Sequence, residues 1–204
     1  MLRSLARNQG TQASQETISA DVGTNMTSPK TLKSDLDELA RLFVTENSLA
    51  WNPNLRSKVA IRTSDTHYFV DSSIGTAALG LGPEDLMNDL NTFGFLLETM
   101  CIRDLRVYAD ANDGEVYHYR DKSGLECDAI VHLRNGKYGL IEIKIGGEQL
   151  INEGAKTLTT LKNNFDTTKM NAPSFCAVVA GVGTYAYRRP EDGVYVVPIG
   201  CLKP

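Results

Sequence analysis

Residues 60–200 are predicted to form a mixed α/β domain, and three observations predict it. Between about residues 85 and 108 apolar positions recur at helical spacing. From 116 to 145 the period changes to alternation, in runs at 116–120, 125–133 and 138–145 that read as a three-strand meander. A second helical run carrying Ala155, Leu158 and Leu161 follows, then a continuous apolar run at 175–180 and a last strand at 194–198. Helix, meander, helix and strand is the order of a mixed sheet flanked by helices.

The residues before this domain read as short helices. Leu2-Arg3-Ser4-Leu5-Ala6-Arg7 runs up to Gly10, a usual helix stop. Ser14 caps a second segment, 15–22, with Glu16 in its first turn. Ser28 and Pro29 start a third, in which Leu32, Leu36, Leu39, Leu42 and Phe43 fall at helical spacing. Three short helices in this space fit a helix-turn-helix or winged-helix unit, or a plain helical bundle. Asn52-Pro53-Asn54 is a turn, which puts the domains at 1–55 and 56–204. Strand-like residues follow at 59–61 and 68–71. Gly80-Leu81-Gly82-Pro83 then breaks the chain before the long helix, which is expected to divide near Asn91.

Composition bounds the function. Hydrophobic residues make up 42% and charged residues 23%, the balance of an ordinary globular protein. No apolar run approaches the roughly 20 residues that cross a bilayer. No apolar stretch follows Met1-Leu2-Arg3-Ser4-Leu5-Ala6-Arg7, so no signal peptide is read and a cytoplasmic location is expected. Cys101, Cys127, Cys176 and Cys201 are scattered without zinc-ligand spacing and read as reduced core residues. A net charge of −4 argues against wholesale nucleic-acid binding, so contact with DNA has to come from a local patch.

Four charged residues carry the chemistry. Glu98 has Gly94, Phe95, Cys101 and Ile102 as its helical neighbours, so its carboxylate lies on the face expected to be buried. Burying an unpaired carboxylate costs several kcal/mol, so a cation, a metal or a hydrogen-bond network has to compensate. An arginine such as Arg103 or Arg120 would meet that need as a structural salt bridge. In the strands, Glu126, Asp128 and Ile130 share one face, and so do Leu140, Glu142 and Lys144. Side by side, the strands would bring two carboxylates and an ammonium together. Two carboxylates suit a hard cation such as Mg²⁺, and a lysine beside it can orient water or offset charge on a phosphate.

The turn decides whether they meet. A two-residue Asn135-Gly136 turn pairs Arg134 with Lys137 and sets Asp128 opposite Ile143. A three-residue turn with Gly136 left-handed pairs Leu133 with Lys137 and sets Asp128 opposite Glu142. The metal site therefore requires the three-residue turn or a bulge.

Glu98 on a helix, Asp128 on one strand and Glu142-Ile143-Lys144 on the next resemble the PD-(D/E)XK nuclease superfamily. The longer wording, Tyr68-Phe69-Val70-Asp71, Phe93-Gly94-Phe95-Leu96-Leu97-Glu98, Tyr119-Arg120-Asp121-Lys122, Gly124-Leu125-Glu126-Cys127-Asp128 and Ile141-Glu142-Ile143-Lys144, resembles the domain-of-unknown-function 4143 family. That domain closes many prokaryotic AAA+-like ATPases, after a winged-helix segment. The resemblance implies a restriction-endonuclease-like mixed sheet preceded by a winged-helix-like segment. It also implies Asp128, Glu142 and Glu98 as ligands of Mg²⁺ or Mn²⁺, with Lys144 beside the attacking water. Cys127 stands where the superfamily name has proline, and no Gly-x-x-x-x-Gly-Lys-Ser/Thr loop is present. The ATPase part, and with it a nucleotide site, is therefore missing, as in a fragment or a truncated gene product.

The expected activity is metal-dependent cleavage of DNA. Arg120, Lys122 and Lys156, with His118, Arg134 and Lys137, are candidate phosphate contacts around the site, and Lys30, Lys33 and Arg41 on the helical segment. Tyr117, Tyr119, Tyr185 and Tyr187 read as core or cross-strand residues. The alternatives are a silent nuclease-fold module that binds nucleic acid or regulates a partner ATPase, and a protein–protein adaptor. A Lys144–Glu142 salt bridge closing the site would favour the silent module. A homodimer is compatible with each.

Overall fold

The computed structural model describes residues 1–22, 29–52, 65–168 and 170–203. The strand expected at 59–61, the Ser28 cap and the last two residues of the Asn52-Pro53-Asn54 turn lie outside them. The chain divides into two compact units, Met1–Ser48 with Ser64–Met100 and Leu49–Thr63 with Cys101–Pro204. A single cut at residue 55 does not describe this division, because residues 64–100 group with the N-terminal helices.

The first unit begins with helices α1 (Leu2–Arg7), α2 (Gln15–Val22) and α3 (Pro29–Arg41). Ser14 caps α2 by accepting from the Thr17 N–H at 3.2 Å. Strands β1 (Thr45–Ser48) and β2 (Thr66–Phe69) pair antiparallel, and Thr11 bridges to His67. Leu5, Ala6, Ile18, Leu32 and Phe69 form the core. Helix α4 (Ser72–Leu79) was not legible as a helix, because its serines, Gly75 and alanines form no amphipathic stripe. Its ends explain it. The Asp71 carboxylate accepts from Ser73 N–H at 2.8 Å, and Gly80 closes it at φ 73°. The expected long helix is two, α5 (Pro83–Asn88) and α6 (Leu90–Asp110). The joint is Asp89 rather than Asn91, since Asp89 accepts from both the N–H and the hydroxyl of Thr92.

The second unit holds the last part of α6 and a six-stranded mixed sheet. Its strands are β3 (Gly114–Arg120), β4 (Glu126–Leu133), β5 (Tyr138–Lys144), β6 (Phe175–Ala180), β7 (Tyr187–Arg188) and β8 (Tyr195–Pro198). Their order is β3-β4-β5-β6-β8-β7. The meander β3–β4–β5 is antiparallel, while β6 lies parallel to β5 and β8 parallel to β6. The parallel step needs a crossover, and helix α7 (Glu148–Asn164) provides it. Its Ala155, Leu158 and Leu161 are fully buried against Leu140 and Val178. Trp51 completes this core, its ring 5.0 Å from Tyr138 and 5.6 Å from Phe165. On the opposite face Ile141, Ala177 and Val179 look towards Leu105 and Ala109 of α6. Strand β7 was not expected. Two residues are too few to show an alternating pattern. Among the described residues no helix is long and apolar enough to cross a membrane.

Candidate metal and phosphodiester site

The site is built by the β4–β5 hairpin. Its turn is Arg134-Asn135-Gly136. The Leu133 N–H donates to the Lys137 carbonyl at 2.8 Å, and Gly136 sits at φ 82°. Asn135 accepts from the Lys137 N–H through its side chain at 3.0 Å, which holds the turn in this form. The three-residue turn that the metal-site reading required is therefore the one that forms. The ladder runs from His132↔Tyr138 to Ala129↔Ile141, and the next pair in that register is Asp128 with Glu142. A bulge lies in the neighbouring β3–β4 pair and leaves the β4–β5 register unchanged. Tyr117 pairs with Ile130 but Tyr119 with Cys127, so Asp128 and Ala129 together oppose His118.

Three of the four predicted charged residues come together here. The Lys144 ammonium lies 2.7 Å from Glu142 Oε2 and 3.6 Å from Asp128 Oδ2. Asp128 Oδ2 also accepts from the Ile143 N–H at 2.7 Å, which fixes the carboxylate against β5. Side-chain exposure falls from 25% at Lys144 to 19% at Asp128 and 5% at Glu142, so lysine is the open side of the cluster. Glycine 154 of α7 sits directly on the stems. A Cβ there would lie 3.3 Å from Glu142 Cβ and 3.4 Å from Lys144 Cε.

Electrostatics follow from this packing. Burial and the neighbouring Asp128 push the Glu142 carboxyl up to about 8, outweighing the opposing pull of Lys144. Ionised together, the three groups sum to a charge of −1, which leaves room for an added cation. Cys127 lies beside them, and its thiol is pushed well above its ordinary range by burial and then by Glu142 and Asp128. It is therefore a packing residue and no nucleophile. Cys101 and Cys176 are buried as expected, but Cys201 is exposed, in the short helical turn Ile199–Cys201.

Asp128 and Glu142 offer carboxylate oxygens, the donor type that Mg²⁺ and Mn²⁺ take, usually one or two per ion with waters completing the shell. The donor set fits a hard divalent cation. Among the described residues no group of three or more His, Cys, Asp or Glu side chains is arranged to hold a metal. Glu98 belongs to the first unit. There Tyr68 donates its hydroxyl to Glu98 Oε1 at 2.6 Å, and a Cβ on Gly10 would lie 3.3 Å from the same oxygen. Arg103 pairs with Asp104 at 2.8 Å, and Arg120 with Glu126 at 2.9 Å.

The expected phosphate contacts are scattered. Lys122 is exposed in the β3–β4 turn, and Lys156 is exposed on α7 two residues beyond Gly154. Arg134 opens the hairpin turn and Lys137 follows it, at the far end of the ladder from Asp128, and His118 is buried. Lys30 and Lys33 are exposed on α3, which also carries Asp35, Asp37 and Glu38, so that helix is electrically balanced with Arg41 counted. Tyr117 and Tyr119 pack against the core as expected. Tyr185 and Tyr187 are exposed, at 69% and 42%, with ring centroids 5.9 Å apart. The sheet ends at β7, so no further strand covers them. No local pattern announces the Tyr68–Glu98 or Ile143–Asp128 hydrogen bonds, which join residues 30 and 15 positions apart.

A family model described as Domain of unknown function (DUF4143) matches residues 93–202, more than half of the 204 residues. The chain belongs to the DUF4143 family. A second model, described as Domain of unknown function (DUF8612), matches residues 1–85, which take in the 1–55 read as a winged-helix-like segment. No curated protein and no solved structure matches the chain. The DUF4143 match contains Glu98, Asp128, Glu142 and Lys144 together with every strand of the six-stranded sheet.

Proposed function

We propose that this DUF4143 chain is a Mg²⁺- or Mn²⁺-dependent phosphodiesterase of the PD-(D/E)XK type acting on DNA. The observation that carries the reading is the hairpin register, which sets Asp128 across from Glu142 with Lys144 between them. Asp128 and Glu142 would hold the cation, which when bound supplies a Lewis acid for the phosphodiester and lowers the pKa of an attacking water. The Ile143 N–H keeps Asp128 aimed at the site. Lys144, the most exposed of the three, is the group that would meet the phosphate, offsetting its charge or orienting water. Glu98 is the third acidic residue of the sequence pattern on which the reading rests. The element order α6, β3–β4–β5, α7, β6 supports a restriction-endonuclease-like sheet.

The first unit supports a DNA-positioning role. Its order is α1, a bridge strand at Thr11, α2, α3, β1 and β2, which is the order of a winged helix-turn-helix. Lys30 and Lys33 begin α3, while Arg120, Lys122 and Lys156 lie in the nuclease-like unit. With a net charge of −4, affinity would rest on these local cations and fall steeply with salt.

One observation favours a second reading. Lys144 is already paired with Glu142, as in a silent nuclease-fold module that regulates a partner ATPase or binds nucleic acid without cutting it. Cleavage of branched, single-stranded and duplex DNA with Mg²⁺ or Mn²⁺ separates the two. The phosphodiesterase reading predicts metal-dependent cutting that falls ~10³-fold in both Glu142→Ala and Lys144→Ala. No cutting of any substrate, with a melting temperature unmoved by metal, establishes the silent module instead.

A further inference from the structure

The second unit carries a large apolar cavity on the sheet face opposite the Asp128–Glu142–Lys144 cluster. It has a volume of about 590 Å³ and lies among Leu105, Ala109, Val131, Ile141, Val179 and Val197. Phe175 and Tyr195 line it while remaining 37% and 42% exposed, so it opens to the surface. A space of this size and character is a binding site in most proteins that have one. Among the described residues its charged lining is Lys137 and Lys203, both exposed, with no acidic side chain. An occupant therefore needs an apolar tip with acidic flanks.

The chain itself carries such a segment. Residues 64–102 contain no lysine or arginine and six acidic residues, Asp65, Asp71, Glu84, Asp85, Asp89 and Glu98. Within that stretch, α5 and the start of α6 expose Met87 at 67% and Leu90 at 51%. Glu84, Asp85 and Asp89 surround these two side chains and are exposed as well. An unbranched Met and a Leu are side chains that adapt to an irregular apolar hole. Patches of this kind on a surface mark interaction sites.

We propose that the chain self-associates, with the acidic Met87/Leu90 knob of one copy seated in the lysine-rimmed cavity of a second. Burial of Met87 and Leu90 drives the contact, while Glu84 and its neighbours meet Lys137 and Lys203 at the rim. Two copies of a chain with net charge −4 repel at long range, so the paired patches also set the orientation in which they approach. Reciprocal seating, each knob in the other copy's cavity, is the two-copy form of this contact. The inference is independent of nuclease activity.

Sedimentation velocity across a micromolar concentration series tests it, on the full chain and without DNA. Wild type is expected to pass from monomer to dimer. Met87→Glu combined with Leu90→Glu is expected to weaken the dimer at least ~tenfold. Glu84→Lys and Lys137→Glu, both at exposed positions, are each expected to weaken it, and together in one chain to restore association. A melting temperature equal to wild type shows that each variant is folded. A wild type that stays monomeric throughout overturns the proposal. So does a dimer that is indifferent to the knob substitutions, or a charge swap that fails to restore what each single change removed.

Discussion

Strand β5 makes two different surfaces from seven residues. Every position from Tyr138 to Ile143 is buried. On one face Ile141 and Ile143 continue an apolar layer, and each stabilises the fold by about 1.5–3 kcal/mol on burial. On the other face the apolar layer of Tyr138 and Leu140 gives way to Glu142 and Lys144. Burying that carboxylate costs several kcal/mol. The Lys144 ammonium compensates only in part, as the rise of the Glu142 carboxyl to about 8 shows. The difference teaches where function enters this fold. One face is satisfied by its own packing, and the other holds a carboxylate that gains most from an added cation.

Substitutions on the two faces should therefore differ in their pH dependence. Ile143→Ala is expected to cost about 2–4 kcal/mol in urea unfolding, equally at pH 5 and pH 9. Lys144→Met leaves Glu142 and Asp128 without their cation. Discounted for the partial exposure of Lys144, it is expected to cost about 2–3 kcal/mol at pH 9 and markedly less at pH 5. Equal costs for Lys144→Met at both pH values would remove the distinction between the faces.

Glu142→Gln sharpens the comparison. The folded chain holds a proton on Glu142 up to about 8, against an ordinary value of 4.5, so between these values it binds more protons than the unfolded chain. Stability then falls as pH rises through that window. Removing the titration is expected to flatten the curve and leave Glu142→Gln about 1–2 kcal/mol more stable than wild type at pH 9. A wild-type profile flat from pH 5 to 9 would contradict the electrostatic account. The smallest expected effect is at the turn. Gly136 has φ 82° with open space around its missing Cβ, so Gly136→Ala should cost only about 1 kcal/mol of backbone strain. A much larger loss would mean that the turn does more than set register.

Much of this was legible in the residues. The alternating runs marked β3, β4 and β5 to within two residues at each end, because apolar side chains recur at every second position along them. The apolar run Phe175–Ala180 was read at its observed bounds. Asn135-Gly136 left two registers open, and the requirement that carboxylates meet selected the one found. Other features were hidden for physical reasons. Helix α4 rests on Asp71 and Gly80 at its ends rather than on periodicity. Strand β1, Thr-Glu-Asn-Ser, is polar and owes its pairing to β2. Glu98 was expected on a buried face, but it is half-buried with Phe95 exposed beside it, and the Tyr68 hydroxyl it accepts from comes from 30 residues away. The exposure of Tyr185 and Tyr187 depends on β7 being the sheet edge, which no local pattern announces.

The central claim is that the carboxylates of β4 and β5 form a divalent-cation site, and equilibrium Mn²⁺ binding at pH 8 measures it directly. The account predicts one Mn²⁺ per chain, competed by Mg²⁺, and lost in both Asp128→Asn and Glu142→Gln although each variant remains folded. No binding to a folded wild type, or binding that survives both substitutions, would contradict it.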